Sequence, residues 1–138
     1  MANDDHVAQL MNSIKDWNEW REACPGVCPD LVGADLREAD LREADLSFAD
    51  LRKAMLTDAK LQKANLSGAK LMRAELAQAK LERTDLTNAD LRKANLFCAN
   101  LQNAILVGAK LQDANFSNAN LRDANSTLLN CNRPLNLI

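Results

Sequence analysis

The sequence predicts an all-β solenoid, a backbone wound into four-sided coils, with an α-helical cap at its N-terminal end. Three observations carry this prediction. An apolar residue returns at every fifth position from Leu31 to Leu121, nineteen times in succession, and only Phe116 among them is not leucine. Alanine recurs with the same period, two residues ahead of the apolar position, at every fifth residue from 34 to 124, with Thr84 the sole exception. Steps of twenty residues align Asp50, Lys70, Asp90 and Lys110, a column of alternating sign.

A period of five suits neither regular element. A helix turns about 100° per residue, so leucines five apart would be smeared around its circumference. A straight strand alternates sides, so residues an odd number apart point to opposite faces. The pattern survives only if the chain bends once per repeat. Within a repeat the Ala and the Leu are two apart and share the inward side of a short extended run. The residues flanking the Leu face solvent, and the second residue after it sits at the bend. Polarity agrees: Asp35, Asp40, Asp45, Asn95, Asn100 and Asn120 precede the Leu, and such side chains bond neighbouring backbone at turns. Gly33, Gly68, Gly108, Asn88 and Asn118 stand at bends.

Bends of one sense stack each coil on the last at roughly 4.8 Å, the spacing of paired strands. Steps of fifteen would align Ser47, Gln62, Ala77 and Arg92, an unmatched set, whereas steps of twenty align Ser47, Ser67, Thr87, Val107 and Thr127, all small or β-branched. Well-matched cross-strand neighbours contribute about 0.2–1 kcal/mol each, which favours four sides. Nineteen repeats at twenty residues per coil make four to five coils. The predicted core is the column Leu31, Leu36, Leu41, Leu46, Leu51, Leu61, Leu71, Leu81, Leu91, Leu101, Leu111, Phe116 and Leu121 with the leucines between them. Burying each is worth roughly 1.5–3 kcal/mol, the main stabilising contribution.

Runs such as Ala34-Asp35-Leu36-Arg37-Glu38 and Ala94-Asn95-Leu96-Phe97-Cys98 resemble the A(D/N)LXX unit of the pentapeptide repeat family. The resemblance implies a right-handed quadrilateral β-helix and extends over residues 30–125. Some family members resemble duplex DNA and occupy the DNA site of type II topoisomerases, so mimicry of DNA is one function it brings in.

Residues 1–29 read as a capping helix and turn. Val7, Leu10, Met11, Ile14 and Trp17 form one stripe over residues 5–23, with Trp20 at its flank, Asp4 or Asp5 as the cap and Pro25-Gly26 as the stop. Such a helix would shield the unpaired edge of the first coil. Trp17-Asn18-Glu19-Trp20-Arg21 resembles the helical segment often found ahead of these arrays, and Arg21 is expected to reach free carbonyls of the first coil or Asp30. The two tryptophans also admit a binding role. Residues 126–138 lose the register at Ser126, and two apolar runs flank Pro134. This tail either closes the last coil or pairs with a second copy to make a dimer.

Cys24 and Cys28 flank Pro25-Gly26-Val27, a turn able to bring them within reach of a disulfide. The alternative is free thiols, the usual state in a reducing compartment. If the pair does oxidise, the lid becomes a redox-responsive module. Cys98 and Cys131 are too far apart in sequence to be paired by argument.

With a net charge of −2 and 47% hydrophobic residues, the chain reads as one soluble domain with no strong pull toward nucleic acid or anionic membrane. It has neither a run of 18 apolar residues nor a basic-then-apolar leader, so a cytoplasmic location is expected. No catalytic, metal or cofactor motif is visible, and the only histidine, His6, reads as a solvated first-turn residue. An enzyme is not expected. One face is mildly basic, through Arg52, Lys53, Lys70, Arg73, Arg92, Lys93 and Lys110. Phe97, Ile105 and Val107 are expected to point outward, either as the scattered apolar residues normal on soluble proteins or as a contact patch, and Met55 is also expected to face solvent. These readings favour a non-catalytic scaffold that binds another protein, since solenoids present extended surfaces.

Overall fold

The computed structural model describes residues 1–126. Its architecture follows from one local event repeated along the chain. Every bend position from Gly33 to Asp123 is left-handed, with φ between 57° and 72°. Each bend is closed by a turn hydrogen bond in which the inward Ala, or Thr84 in its slot, donates to the carbonyl of the preceding core Leu or Phe116, as in Ala34 N to Leu31 O at 3.1 Å. A non-glycine residue with positive φ is strained, so the surrounding structure must hold it there.

The hold is the pairing between coils. Leu31 N donates to Asp50 O at 2.8 Å, Gly33 N to Arg52 O at 2.9 Å, and Met55 N to Ala34 O at 2.9 Å. The bend residue is thus tied to the next coil by its own amide. Parallel bridges run from Asp30↔Asp50 to Ile105↔Asn125, each linking residues twenty apart. With a corner every five residues, twenty make a four-sided coil, and Asp50, Lys70, Asp90 and Lys110 do stack.

The expectation of an all-β chain needs correction in one respect. The coils meet at single-residue bridges, and among the described residues no continuous strand forms. The cause is geometric: each side has room for one bridge residue before the chain must corner again.

The core is the predicted column. Leu31, Leu36, Leu41, Leu46, Leu51, Leu61, Leu71, Leu81, Leu91, Leu101, Leu111 and Phe116 are buried, together with the alanines from Ala34 to Ala109. Leu121, Ala114, Ala119 and Ala124, in the last described coil, are only half-buried. The tail from 127 onward, with Cys131 and the proposed dimer contact, lies outside the described residues.

The single helix expected over residues 5–23 is two helices, α1 (Asp4–Asn12) and α2 (Ile14–Ala23). Ser13 interrupts them with φ −157° and ψ 121°, and its Oγ accepts from Asp16 N at 3.2 Å. Serine competes for backbone partners in this way, exchanging a helix interior for a cap. The cap of α1 is Asn3, whose Oδ1 accepts from Asp5 N at 2.9 Å and His6 N at 3.3 Å. Asp4 and Asp5 fall inside the first turn, where negative charge offsets the helix dipole.

Candidate interaction surfaces

The helices bind the first coil by standing in for the coil that would precede it. Elsewhere the carbonyls flanking a core leucine accept amides from the coil before, as Asn65 O accepts Leu46 N at 2.8 Å and Ser67 O accepts Phe48 N at 2.9 Å. At the first coil, Trp17 Nε1 donates to Asp45 O at 2.8 Å and Arg21 donates to Ser47 O at 2.7 Å. Arg21 also donates to Val27 O at 2.6 Å, and its Nε lies 3.9 Å from Asp45 Oδ2. Trp17 and Arg21 are buried and Trp20 is half-buried. Arg21 therefore reaches first-coil carbonyls, while its carboxylate neighbour is Asp45 rather than Asp30.

His6 has a part the sequence did not reveal. Its Nδ1 accepts the Asp30 amide at 3.0 Å, and its ring packs 5.3 Å from that of Trp20. Both tryptophans thus belong to the joint between lid and coil.

Four aspartates are neutralised within their own repeats. The position before each Leu and the position after it lie on the same side of the chain, so an Arg following an Asp by two residues can fork onto its carboxylate. Arg37 meets Asp35 at 2.8 and 2.7 Å, and Arg42 meets Asp40 at 2.7 and 2.6 Å. Arg52 and Asp50, and Arg92 and Asp90, repeat the arrangement. Hydrogen bonding to the Arg37 guanidinium holds the Asp35 carboxyl down to about 2, and Arg42 does the same for Asp40. Asp50 and Asp90 are lowered by Arg52 and Arg92.

The contact patch expected from Phe97, Ile105 and Val107 does not come together. Phe97 follows Leu96 on one side, whereas Ile105 and Val107 flank Leu106, two corners further along a four-cornered coil. They occupy opposite faces. Phe97 and Ile105 are each 38% exposed and Val107 is half-buried. Met55, also expected outside, is half-buried. The most exposed aromatic ring is one the sequence reading passed over, Phe48, at 61%. It sits at a corner directly below Gly68, and a Cβ on Gly68 would lie 2.5 Å from the ring. The signal was available as a bulky corner residue with glycine twenty positions later.

Cys24, Cys28 and Cys98 are free thiols. Among the described residues no cluster of His, Cys, Asp or Glu could hold a metal ion, and no helix is long and apolar enough to cross a membrane.

The corner column above Gly33 carries Lys53, Arg73 and Lys93, all exposed. Beside it runs a groove of about 240 Å³ lined by Val32, Arg52, Lys53, Met72 and Arg73. A second hollow, of about 510 Å³, shares Val32 and Lys53 and extends to Met1, Ala2 and Val7 under the lid.

The family profile described as "Pentapeptide repeats (8 copies)" matches residues 30–68, 69–106 and 94–125. The chain belongs to the pentapeptide repeat family. Among solved structures, a pentapeptide repeat protein (Rfr23) from the cyanobacterium Cyanothece 51142 is similar at 37% identity and a TM-score of 0.50, over 65% of this chain and 63% of that one. This pentapeptide repeat chain thus spans under two thirds of that protein's length. A pentapeptide repeat protein from the Arabidopsis thaliana thylakoid lumen is similar at 34% identity and a TM-score of 0.56, over 68% of this chain and 69% of that one. QnrB1, a plasmid-mediated fluoroquinolone resistance protein, is matched at 18% identity and a TM-score of 0.31, over 75% of this chain and 58% of that one. No curated protein matches the chain.

Proposed function

We propose that this pentapeptide repeat protein is a non-catalytic scaffold, a right-handed rod whose faces hold another protein. The observation that carries the reading is Phe48: a ring 61% exposed, packed against Gly68 on a backbone whose amides are already paired. Large aromatic side chains held rigidly at a surface are the usual anchors of protein contacts, because little conformational freedom is lost when they are covered.

Mimicry of duplex DNA draws less support. A mimic needs uncompensated negative columns, and here Asp35, Asp40, Asp50 and Asp90 are each forked by an arginine of the same repeat. The likeness to QnrB1 is too remote to weigh against this charge pattern.

Affinity capture with wild type, Phe48→Asp and Phe97→Asp tests the scaffold reading. Loss of one defined protein partner with Phe48→Asp alone is the expected result. Identical partners for all three proteins, at unchanged melting temperatures, would sink it. A supercoiling assay with DNA gyrase supplies the contrast: inhibition at micromolar protein would revive mimicry.

A further inference from the structure

We infer that the corner ridge Lys53–Arg73–Lys93, with the groove beside it, is a docking surface for an extended acidic segment of a partner protein that also carries an aliphatic side chain. The inference rests on the scaffold reading for its class of partner, and it concerns a site separate from Phe48.

The ridge handles charge differently from the face beside it, and it is a longer stack of corner cations than the pair Lys63 and Arg83. On the adjacent face the column Asp50, Lys70, Asp90, Lys110 alternates in sign, as cross-strand neighbours favour. Arginines one residue after the core Leu fork onto the Asp one residue before it. The ridge residues are one position further on, at the left-handed corner, with φ of 59°, 60° and 61°. From there Lys53, Arg73 and Lys93 do not reach the Asp of their own repeat as the arginines one position earlier do. Three cations therefore stack at roughly 4.8 Å intervals, the coil spacing, where like charges repel. None of them has an ion pair among the described residues.

Three of the carboxylates flanking the ridge are forked by arginines. Asp35 is held by Arg37, Asp50 by Arg52 and Asp90 by Arg92, while Glu75 accepts from Asn95 Nδ2 at 3.0 Å. Asp113 ends the column above Lys93. Lys53 and Arg73 are thus exposed, without an ion pair among the described residues, and available to a carboxylate brought by a partner.

The groove narrows the chemistry. Val32 and Met72 are half-buried and apolar, and Arg52, Lys53 and Arg73 rim them. An apolar strip beside cations fits a peptide that alternates acidic and aliphatic residues, whose carboxylates lie over the ridge while a side chain enters the strip. A nucleic-acid strand is disfavoured, because it would want aromatic platforms for its bases and this groove has none.

Fluorescence polarisation with a labelled peptide of alternating Asp and Leu tests the proposal. Wild type should bind in the micromolar range and lose affinity as salt rises. Lys53→Glu/Arg73→Glu should weaken binding at least tenfold, and Met72→Ala several-fold. The matched reversal Lys63→Glu/Arg83→Glu, on another corner column, should change it less than twofold, and Phe48→Asp should leave it intact. Absence of binding, or equal loss with both charge reversals, overturns the proposal, as does tighter binding of a single-stranded oligothymidine. None of these outcomes affects the Phe48 capture result, so the two readings fail separately. Unchanged melting temperatures establish that each variant is folded.

Discussion

Thr84 occupies the one slot of the alanine column that alanine does not fill, and its surroundings explain why it is tolerated. It is fully buried, and its Oγ1 donates to Leu61 O at 2.7 Å. That carbonyl already accepts Ala64 N at 3.0 Å, so the hydroxyl is satisfied without being needed. Thr84→Ala removes one hydrogen bond and orphans nothing, so a loss of about 1 kcal/mol in urea unfolding is expected. Arg21 is the opposite case. Its truncation leaves Val27 O and Ser47 O without their donor beneath the lid. Both acceptors are part-buried, so each costs towards the low end of about 1–3 kcal/mol when stranded, and Arg21→Ala should lose about 2 kcal/mol in the same measurement. Arg21→Lys should recover only part of this, because one ammonium cannot span two carbonyls as the guanidinium fork does.

At the scale of the repeat, the corner sets the limits. Lys63 has φ 61° and is exposed, so its substitution reports on backbone strain with little change in packing. Lys63→Val puts a β-branched residue in the left-handed region and should cost about 1–2 kcal/mol, whereas Lys63→Gly should be close to neutral; thermal unfolding separates them. These corners were legible because Gly33, Gly68, Gly108, Asn88 and Asn118 mark them, and a five-residue period leaves nowhere else to bend. Four-sidedness was legible from the column Asp50, Lys70, Asp90, Lys110. The break at Ser13 was not, since the apolar stripe Leu10, Ile14, Trp17 runs through it, and periodicity cannot see a hydroxyl taking an amide. His6 was missed for a related reason: its partner, the Asp30 amide, is distant in sequence, and only docking of the lid brings them together. Phe97 and Ile105 both look outward and lie only eight residues apart, but outward has four directions on a square coil. Placing a surface residue requires counting sides as well as reading polarity.

Over the whole molecule, stability in acid should follow the forked aspartates, which recur along the rod from Asp35 to Asp90. Asp35 and Asp40 are lowered from 3.8 to about 2 in the folded state, chiefly by hydrogen bonding to Arg37 and Arg42. The unfolded chain then binds more protons than the folded one between those values, so stability rises with pH across that window. The stabilisation is fully present above about pH 4 and is lost as the pH drops towards 2. The pairs are exposed, so the effect should shrink in 1 M salt, where the screening length is about 3 Å. Asparagine is a clean probe of the charge, because the rod already uses it at this position: Asn95 Oδ1 accepts Phe97 N at 3.1 Å, and Asn100 Oδ1 accepts Gln102 N at 3.1 Å. Asp35→Asn/Asp40→Asn keeps the turn and removes the carboxylates. Thermal melts from pH 7 to pH 2 should show the double variant losing less stability than wild type below pH 4, with the difference reduced by salt. Parallel curves for the two proteins would mean that these pairs stabilise nothing, and that the lid and the leucine column alone set the acid limit of the fold.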